Sequence, residues 1–187
     1  MVGMTFEECV GESAQTLQRL KEIRPAIDQA AKLILDTLRR GGKILAAGNG
    51  GSAAEASHFA TELVGRYARQ RRSLPAVALS SDGALLSCIG NDFGFEEVFA
   101  RQVAGLAQPG DLLVVFTSSG NSANVAKALQ AAKEAGIASL AFLGRGGGEC
   151  RGLATCELII PGARGASAQE AHLFLLHYFC ELIDAAH

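Results

Sequence analysis

Short apolar runs alternate with segments of helical pattern along the whole chain. The clearest run, Leu112 to Phe116 (LLVVF), is apolar throughout. Strands that are apolar on both faces are typical of a parallel sheet covered by helices on its two sides. Five strands are predicted, at 43–47, 76–79, 112–116, 137–143 and 158–160. The chain is therefore predicted to form a single doubly wound α/β domain over residues 1–187.

The segments between these strands predict helices. An N-terminal helical arm covers about residues 1–40, and within it Pro25 ends one helix and lies in the first turn of the next. The Gly41-Gly42 pair ends the arm. No linker or charge block marks an internal domain boundary. Further helices are predicted at 53–70, at 82–107 with an interruption around 90–92, at 123–135 and at 168–186.

Composition places the chain among globular proteins and disfavours several functions. Its 187 residues are 49% hydrophobic and 19% charged, which is enough apolar material for one compact core. A net charge of −2 disfavours nucleic-acid binding through charge. The five cysteines form no CxxC pair, which favours reduced, mostly buried thiols. We find no signal-peptide pattern and no apolar stretch of bilayer length, so a cytoplasmic protein without membrane contact is expected.

Two loops of similar composition follow predicted strands, GNGGSA (48–53) and TSSGNS (117–122). Each lies where a strand turns into a helix, the edge at which open parallel sheets bind ligands. Glycines, helix N-terminal N–H groups and serine hydroxyls together suit a phosphate group. A structural explanation also exists, since Ser52 with Glu55 matches a capping box and Ser122 could cap its own helix. Neither loop is a Walker A or GxGxxG motif, so a small phosphorylated ligand is favoured over a nucleotide.

A histidine and a glutamate share one face of the helix predicted after the first loop. His58 and Glu62 are four residues apart, so their side chains point to the same place. Such a pair can ligate a metal ion or serve as acid and base. An exposed ion-pair face that includes Arg66 explains the same spacing. Both explanations remain open at this point.

The C-terminal segment SAQEAHLFLLHYFCELIDAAH is apolar on most sides, which is typical of a helix buried in a core or a subunit interface. Gln169, His172 and His177 are then candidate buried polar groups that need partners. A core histidine hydrogen-bonded to Glu181 one turn later is the alternative. Gln169 and His177 are separated by about 12 Å of helical rise. Both side chains could just reach one small site if they extended towards the middle of the helix, but a bend or a second copy of the chain explains a shared site more naturally.

Four motifs together make the chain similar to the phosphoheptose isomerase (sedoheptulose 7-phosphate isomerase) family, within the wider class of sugar isomerase (SIS) domains. They are GNGGSAAEASHFATELVGRY, CIGNDFGFEEVFARQV, TSSGNSANVAKAL and AQEAHLFLLH, and they extend over nearly the whole chain. The resemblance implies a homotetrameric α/β enzyme that converts D-sedoheptulose 7-phosphate to D-glycero-D-manno-heptose 7-phosphate. It also implies a place at the first step towards the heptose of bacterial lipopolysaccharide.

The resemblance further implies which residues form the site. One zinc ion per subunit would be held by His58, Glu62, Gln169 and His177. Moving a carbonyl from C2 to C1 needs a base and an acid, for which Glu62 and His177 are the candidates. A firm zinc ligand is not a free base, and the resemblance does not decide between these two roles of Glu62. Substrate contacts are implied for Asn49, Gly50, Gly51, Ser52, Glu62, Asn91, Asp92, Thr117, Ser118, Ser119, Ser122 and Gln169.

One position departs from the family pattern. The family commonly has an arginine two residues before the glutamine, and this chain has Ser167 there, with Arg164 as a candidate substitute. Two alternative functions remain. One is a non-catalytic regulator of the same domain class that binds the bacterial replication initiator, and the other is an isomerase of a different phosphosugar. The presence of the full His, Glu, Gln and His set favours the enzyme.

Overall fold

A five-stranded, all-parallel sheet lies at the centre of the computed structural model, which describes residues 3–162 and 164–187. The strand order is β2-β1-β3-β4-β5, and β1 pairs with β3 from Ile44 opposite Leu112 to Gly48 opposite Phe116. The predicted α/β fold with five parallel strands is thereby confirmed. In chain order the strands are β1 Ile44–Gly48, β2 Ala76–Ala78, β3 Leu112–Thr117, β4 Ala138–Leu143 and β5 Cys156–Ile159.

Helices connect and cover these strands. A single 3₁₀ turn, Leu20–Ile23, joins the first two of them, and Pro25 lies in the first turn of the second, as predicted. Within the described ranges no helix has the length and apolar character needed to cross a membrane. The helices are α1 Phe6–Arg19, α2 Arg24–Arg39, α3 Gly51–Val64, α4 Gly83–Phe93, α5 Ala100–Leu106, α6 Ala123–Glu134 and α7 Gly165–Ala186.

A separate apolar layer packs on each face of the sheet, and β3 contributes to both. Leu112, Val114 and Phe116 enter the layer formed with α2, α3 and α7, whereas Leu113 and Val115 enter the layer formed with α5 and α6. Successive side chains of a strand point to opposite faces, so a wholly apolar strand supplies both layers. Helices α3 and α7 consequently lie on the same face of the sheet.

Two predicted helix boundaries are wrong. The helix predicted at 53–70 is α3, which ends at Val64, so Arg66 is not on its polar face. The interruption predicted around 90–92 lies instead at Gly94, whose φ of 95° is a conformation that glycine adopts readily. Asn91 and Asp92 therefore belong to the last turn of α4.

The structural alternative for the two loops, a capping box of Ser52 with Glu55 and a helix cap by Ser122, is wrong. Gly50 precedes α3, no side chain caps that helix, and Ser52 lies inside it with only 3% exposure. Ser122 does precede α6, but its side chain makes no capping hydrogen bond. The serines of these loops therefore do not serve as helix caps.

The cysteines match the predicted pattern. All five are unbridged, and three of them, Cys150, Cys156 and Cys180, are buried. Burial raises the pKa of Cys150 to about 11 and that of Cys180 to about 12. These thiols stay protonated near neutral pH and are poor nucleophiles.

At the amino edge of the sheet, a buried carboxylate joins β1 to the turn before β3. Asp111 accepts hydrogen bonds from the backbone N–H groups of Lys43 (2.9 Å) and Gln108 (2.8 Å), and from the Lys43 ammonium group. Burial acts to raise the pKa of Asp111, but the hydrogen bonds from Lys43 and Gln108 outweigh it and the pKa is lowered. Asp111 is thus a satisfied, ionised structural carboxylate, far along the strand direction from the predicted site.

Candidate active site

Helices α3 and α7 lie side by side, and later residues of α3 contact later residues of α7. The two helices therefore run in the same direction. Gly51 and His58, seven residues apart on α3, face Gln169 and His177, eight residues apart on α7. Helix α3 therefore extends along the whole distance between Gln169 and His177. The meeting positions are Gly51 with Gln169, Glu55 with His172, and His58 with His177.

Three candidate residues come together at the last of these positions. His58 Nε2 lies 3.0 Å from Glu62 Oε1, and the rings of His58 and His177 meet edge to face with centroids 5.1 Å apart. Tyr67, from the loop after α3, stacks on His177 at 5.8 Å. The side chains of His58 and Glu62 are 37% and 20% exposed, so a ligand can reach them. A carboxylate and two imidazoles can here exchange protons with a bound molecule.

The alternative explanation for a core histidine is wrong for His177, which forms no hydrogen bond with Glu181 among the described contacts. It is His172 that is fully buried, at 0% exposure, against the rings of Phe116 and Phe142. Its Nδ1 lies 3.7 Å from Glu55 Oε2, and neither side chain has a hydrogen-bond partner. The packing of α3 against α7 thus holds a buried polar pair that sequence spacing did not reveal.

Gln169 lies apart from the histidines. It rests against the start of α3, where a Cβ on Gly51 would come within 2.3 Å of the Gln169 amide nitrogen. Over 3–162 and 164–187, no three His, Cys, Asp or Glu side chains converge closely enough to hold a metal ion. The structure therefore brings His58, Glu62 and His177 into contact within one chain and leaves Gln169 at the other end of the same helix pair.

The first loop is tied to the second by a pair of amides. Asn49 and Asn124 exchange two side-chain hydrogen bonds of 2.8 and 2.9 Å, each donating once to the other. Asn124 is in α6, directly after the second loop, so the starts of α3 and α6 are held together. Gly50, with a φ of 55°, completes the sharp turn between Asn49 and α3.

Hydroxyl groups converge in the second loop. Thr117 Oγ1 lies 3.4 Å from Ser119 Oγ and 3.5 Å from Ser122 Oγ, and it accepts a hydrogen bond from the Gly120 N–H. Ser118 is half-buried beside them. Hydroxyls gathered at the N-terminus of α6 can donate hydrogen bonds to an anion, and the helix dipole favours negative charge there. This geometry suits a phosphate group.

Two predicted substrate-binding residues lie away from the hydroxyl groups of the second loop in the single chain. Asn91 and Asp92 are exposed at the end of α4, where the Asn91 amide donates to Asp92 Oδ1 at 2.8 Å. Neither forms a hydrogen bond to α3, α7 or the two loops in the described chain. Their side chains remain open to a ligand or to another molecule.

The candidate substitute for the family arginine is occupied elsewhere. Arg164 donates to Glu12 of α1 at 2.9 Å, and Ser167 donates to the same carboxylate at 2.8 Å. Sequence reasoning did not single out Arg145, a non-glycine residue with a φ of 47° two residues after the end of β4. Its guanidinium lies 3.9 Å from where a Cβ of Gly165 would stand. The signal that could have found it is the GRGGG run at the carboxyl end of a strand.

The chain is similar to known proteins in both sequence and fold. The SIS domain family matches residues 10–144. The phosphoheptose isomerase of Geobacter sp. (strain M21) is 45% identical over 87% of this chain and 85% of its own, and that of Helicobacter hepaticus is 46% identical over 91% and 87%. The solved structure of a phosphoheptose isomerase from Neisseria gonorrhoeae has a TM-score of 0.87 and 43% identity, covering 97% of this chain and all of the other.

We predict that Gly120→Ala disrupts the second loop. Gly120 has a φ of 71°, and an added Cβ would lie 2.3 Å from the carbonyl oxygen of Gly147. Gly136→Ala is a matched control, because Gly136 has a φ of 68° but open space around it. Backbone strain alone costs about 1–2 kcal/mol. We expect Gly120→Ala to lower the unfolding temperature further than the control and to abolish binding of inorganic phosphate measured by calorimetry. Equal stability losses with phosphate binding retained would contradict this.

Proposed function

The chain belongs to the phosphoheptose isomerase family of SIS-domain proteins, and we propose that Glu62 and His177 catalyse its reaction. The enzyme converts D-sedoheptulose 7-phosphate to D-glycero-D-manno-heptose 7-phosphate. The observation that carries the catalytic assignment is the contact of His58, Glu62 and His177, which gathers a carboxylate and two imidazoles from α3 and α7.

The isomerisation moves two hydrogens and no heavy atoms. Glu62 takes the proton from C1, next to the C2 carbonyl, while His177 gives a proton to the carbonyl oxygen to form an enediol. Return of the carbon-bound proton to C2, with loss of the hydroxyl proton at C1, completes the aldose and restores both residues. The 3.0 Å contact from His58 orients the Glu62 carboxylate for this transfer. The accessible, polar setting of Glu62 supports its role as base.

The phosphate end of the sugar is assigned to the second loop. Thr117, Ser118, Ser119 and Ser122 would bind the 7-phosphate through their hydroxyls, which the converging Oγ atoms support. Fixing the phosphate limits how far the reacting end of the sugar can move, and such positioning lowers the barrier to proton transfer. The remaining proposed contacts are Asn49, Gly50, Gly51, Ser52, Asn91, Asp92 and Gln169.

We include one zinc ion per subunit in the proposal, with His58, Glu62, Gln169 and His177 as its ligands. Imidazole and carboxylate are usual zinc donors, and the 3.0 Å between His58 and Glu62 is close to the separation of about 3.3 Å expected for two ligands of one tetrahedral zinc. In the described residues no three His or Glu side chains converge on one metal position, and Gln169 lies beside Gly51. Zinc binding would therefore require these side chains to move together, with Gln169 supplied by a movement of α7 or by a neighbouring subunit. When bound, zinc would polarise the substrate carbonyl.

Removal of zinc tests the metal assignment and separates the two roles of Glu62. We expect dialysis against a chelator to lower kcat at least about tenfold, within the range of metal-assisted polarisation, and added zinc to restore it. Metal analysis should show that His58→Ala loses zinc and that His187→Ala, at the far end of α7, retains it. Full activity in chelated protein without zinc would reject the metal and leave Glu62 as a free base.

The functional unit is proposed to be a homotetramer whose subunits share the sites. Phe174 of α7 and Phe95 after α4 are 50% and 62% exposed in the single chain, which is large for such side chains. Asn91 and Asp92 also lack partners in the candidate site of their own chain. We expect analytical ultracentrifugation to give a tetramer, and Phe174→Glu to give smaller folded species with reduced kcat. A fully active monomer would contradict the shared site.

Deuterium exchange tests the reaction and the base together. With sedoheptulose 7-phosphate in heavy water, NMR should show deuterium at C1 of the ketose or C2 of the aldose. We expect Glu62→Gln to abolish exchange and turnover while phosphosugar binding persists, because an amide cannot accept the proton. Glu134→Gln, an exposed residue at the end of α6, is the control and should keep wild-type rates. Phosphosugar binding without exchange in the wild type would instead support a non-catalytic binder.

A further inference from the structure

The C-terminal end of α3 is held by a side chain from the following loop. No basic residue lies in the last turn of α3, so its final carbonyl groups need partners from elsewhere. Arg71 supplies them, since its Nη2 donates to the Glu62 carbonyl oxygen at 2.5 Å and its Nη1 to that of Leu63 at 2.9 Å. The first of these carbonyls belongs to the proposed catalytic base.

The same guanidinium is held by α7. Arg71 Nε donates to Asp184 Oδ1 at 2.9 Å, and Asp184 Oδ2 accepts from the backbone N–H groups of Ala68 (2.9 Å) and Arg69 (2.8 Å). The side chains of Arg71 and Asp184 are each 2% exposed. Because the guanidinium is planar and its donors diverge in fixed directions, these bonds set its position and that of the carbonyls it holds.

The bonds lead directly from the proposed base to the helix of the proposed acid. Asp184 follows His177 by seven residues, almost two full helical turns, so both side chains leave α7 on the same side. The route runs from the Glu62 carbonyl through Arg71 to Asp184. Of the other contacts described between α3 and α7, Glu55 and His172 form no hydrogen bond.

We propose that Arg71 and Asp184 are positioning residues of the isomerase, and that they fix the Glu62 carboxylate relative to the His177 imidazole. This inference rests on the proposed function. The pair touches neither substrate nor reacting atoms; it acts by setting where the last turn of α3 lies against α7. Since proton transfer needs the base within hydrogen-bond reach of the carbon-bound proton, a small displacement of that turn lowers the rate.

Asp111 provides a matched control within the same chain. Like Asp184, it is a buried carboxylate that accepts two backbone N–H bonds and one bond from a cationic side chain, here the half-buried Lys43. It lies at the amino edge of the sheet, before β3, and contacts no residue of the proposed site. The Asp111→Asn and Asp184→Asn variants therefore weaken the same kinds of interaction, the first at a structural position and the second at a proposed positioning residue.

The first experiment compares kcat and KM for sedoheptulose 7-phosphate in these two variants, below both unfolding transitions. We expect similar losses in unfolding temperature. Only Asp184→Asn should lower kcat, by about ten- to a hundredfold for a displacement of order 1 Å, with KM changed less than about twofold because the phosphate loop is untouched. Unchanged kcat in Asp184→Asn, or equal kcat losses in both variants, would overturn the proposal.

Arg71→Lys provides the second test and guards against an unfolded Asp184→Asn. Lysine keeps the charge beside Asp184, but one ammonium group cannot reproduce the planar set of donors that reaches the carboxylate and both carbonyls. We expect folded Arg71→Lys to lose kcat and to shift the imidazole NMR signals of His58 and His177, with Asp111→Asn shifting neither. Unshifted signals in Arg71→Lys would refute the positioning role.

The NMR measurement also distinguishes failure of the positioning role from failure of the proposed function. Absence of turnover in the wild-type protein would refute the proposed function. The imidazole signals report the link between Arg71 and the histidine pair without any turnover. Shifted signals in an inactive wild-type background would therefore support the geometric link while the reaction assignment fails.

Discussion

The packing of α7 along α3, on one face of the sheet, is the constraint on which the candidate site depends. Ala56 on α3 and Ala168 and Ala171 on α7 are fully buried in the layer that the two helices share, and small side chains allow their backbones to approach closely. The two helices are far apart in sequence, and this approach alone brings Glu62 and His177 together. The sheet contributes by giving both helices one apolar surface to cover.

Polar groups inside this helix pair make its register specific. An apolar interface alone would tolerate a shift of one helix along the other, since dispersion contacts have little direction. The hydrogen bonds between Arg71 and Asp184 oppose such a shift, because it would leave two buried charges unpaired at a large cost in free energy. Glu55 and His172, already without hydrogen bonds, contribute less to this selection. Register, and with it the site geometry, is therefore set mainly at the C-terminal end of α3.

Local patterns in the sequence predicted what depends on local geometry. Apolar runs predicted the five parallel strands, and a separation of four residues predicted the contact of His58 with Glu62, because helical periodicity determines both. The predicted end of α3 lies beyond its observed end at Val64 because the apolar pattern of the sequence continues to Tyr67. Tyr67 does contact His177, but from the loop after the helix. Arg71 and Asp184 are 113 residues apart, and no local pattern distinguishes such a pair from surface charges.

The proposed base lies in a helix that is held at both ends. At its start, the amide exchange between Asn49 and Asn124 joins α3 to α6 and hence to the hydroxyl loop proposed to bind phosphate. At its end, Arg71 holds the last carbonyl groups to α7. In the proposed reaction, α3 held in this way would set the distance between the phosphate end of a bound sugar and the carboxylate proposed to remove its proton. Positioning of this kind lowers the barrier before any bond is broken, because the reacting groups already have their orientation.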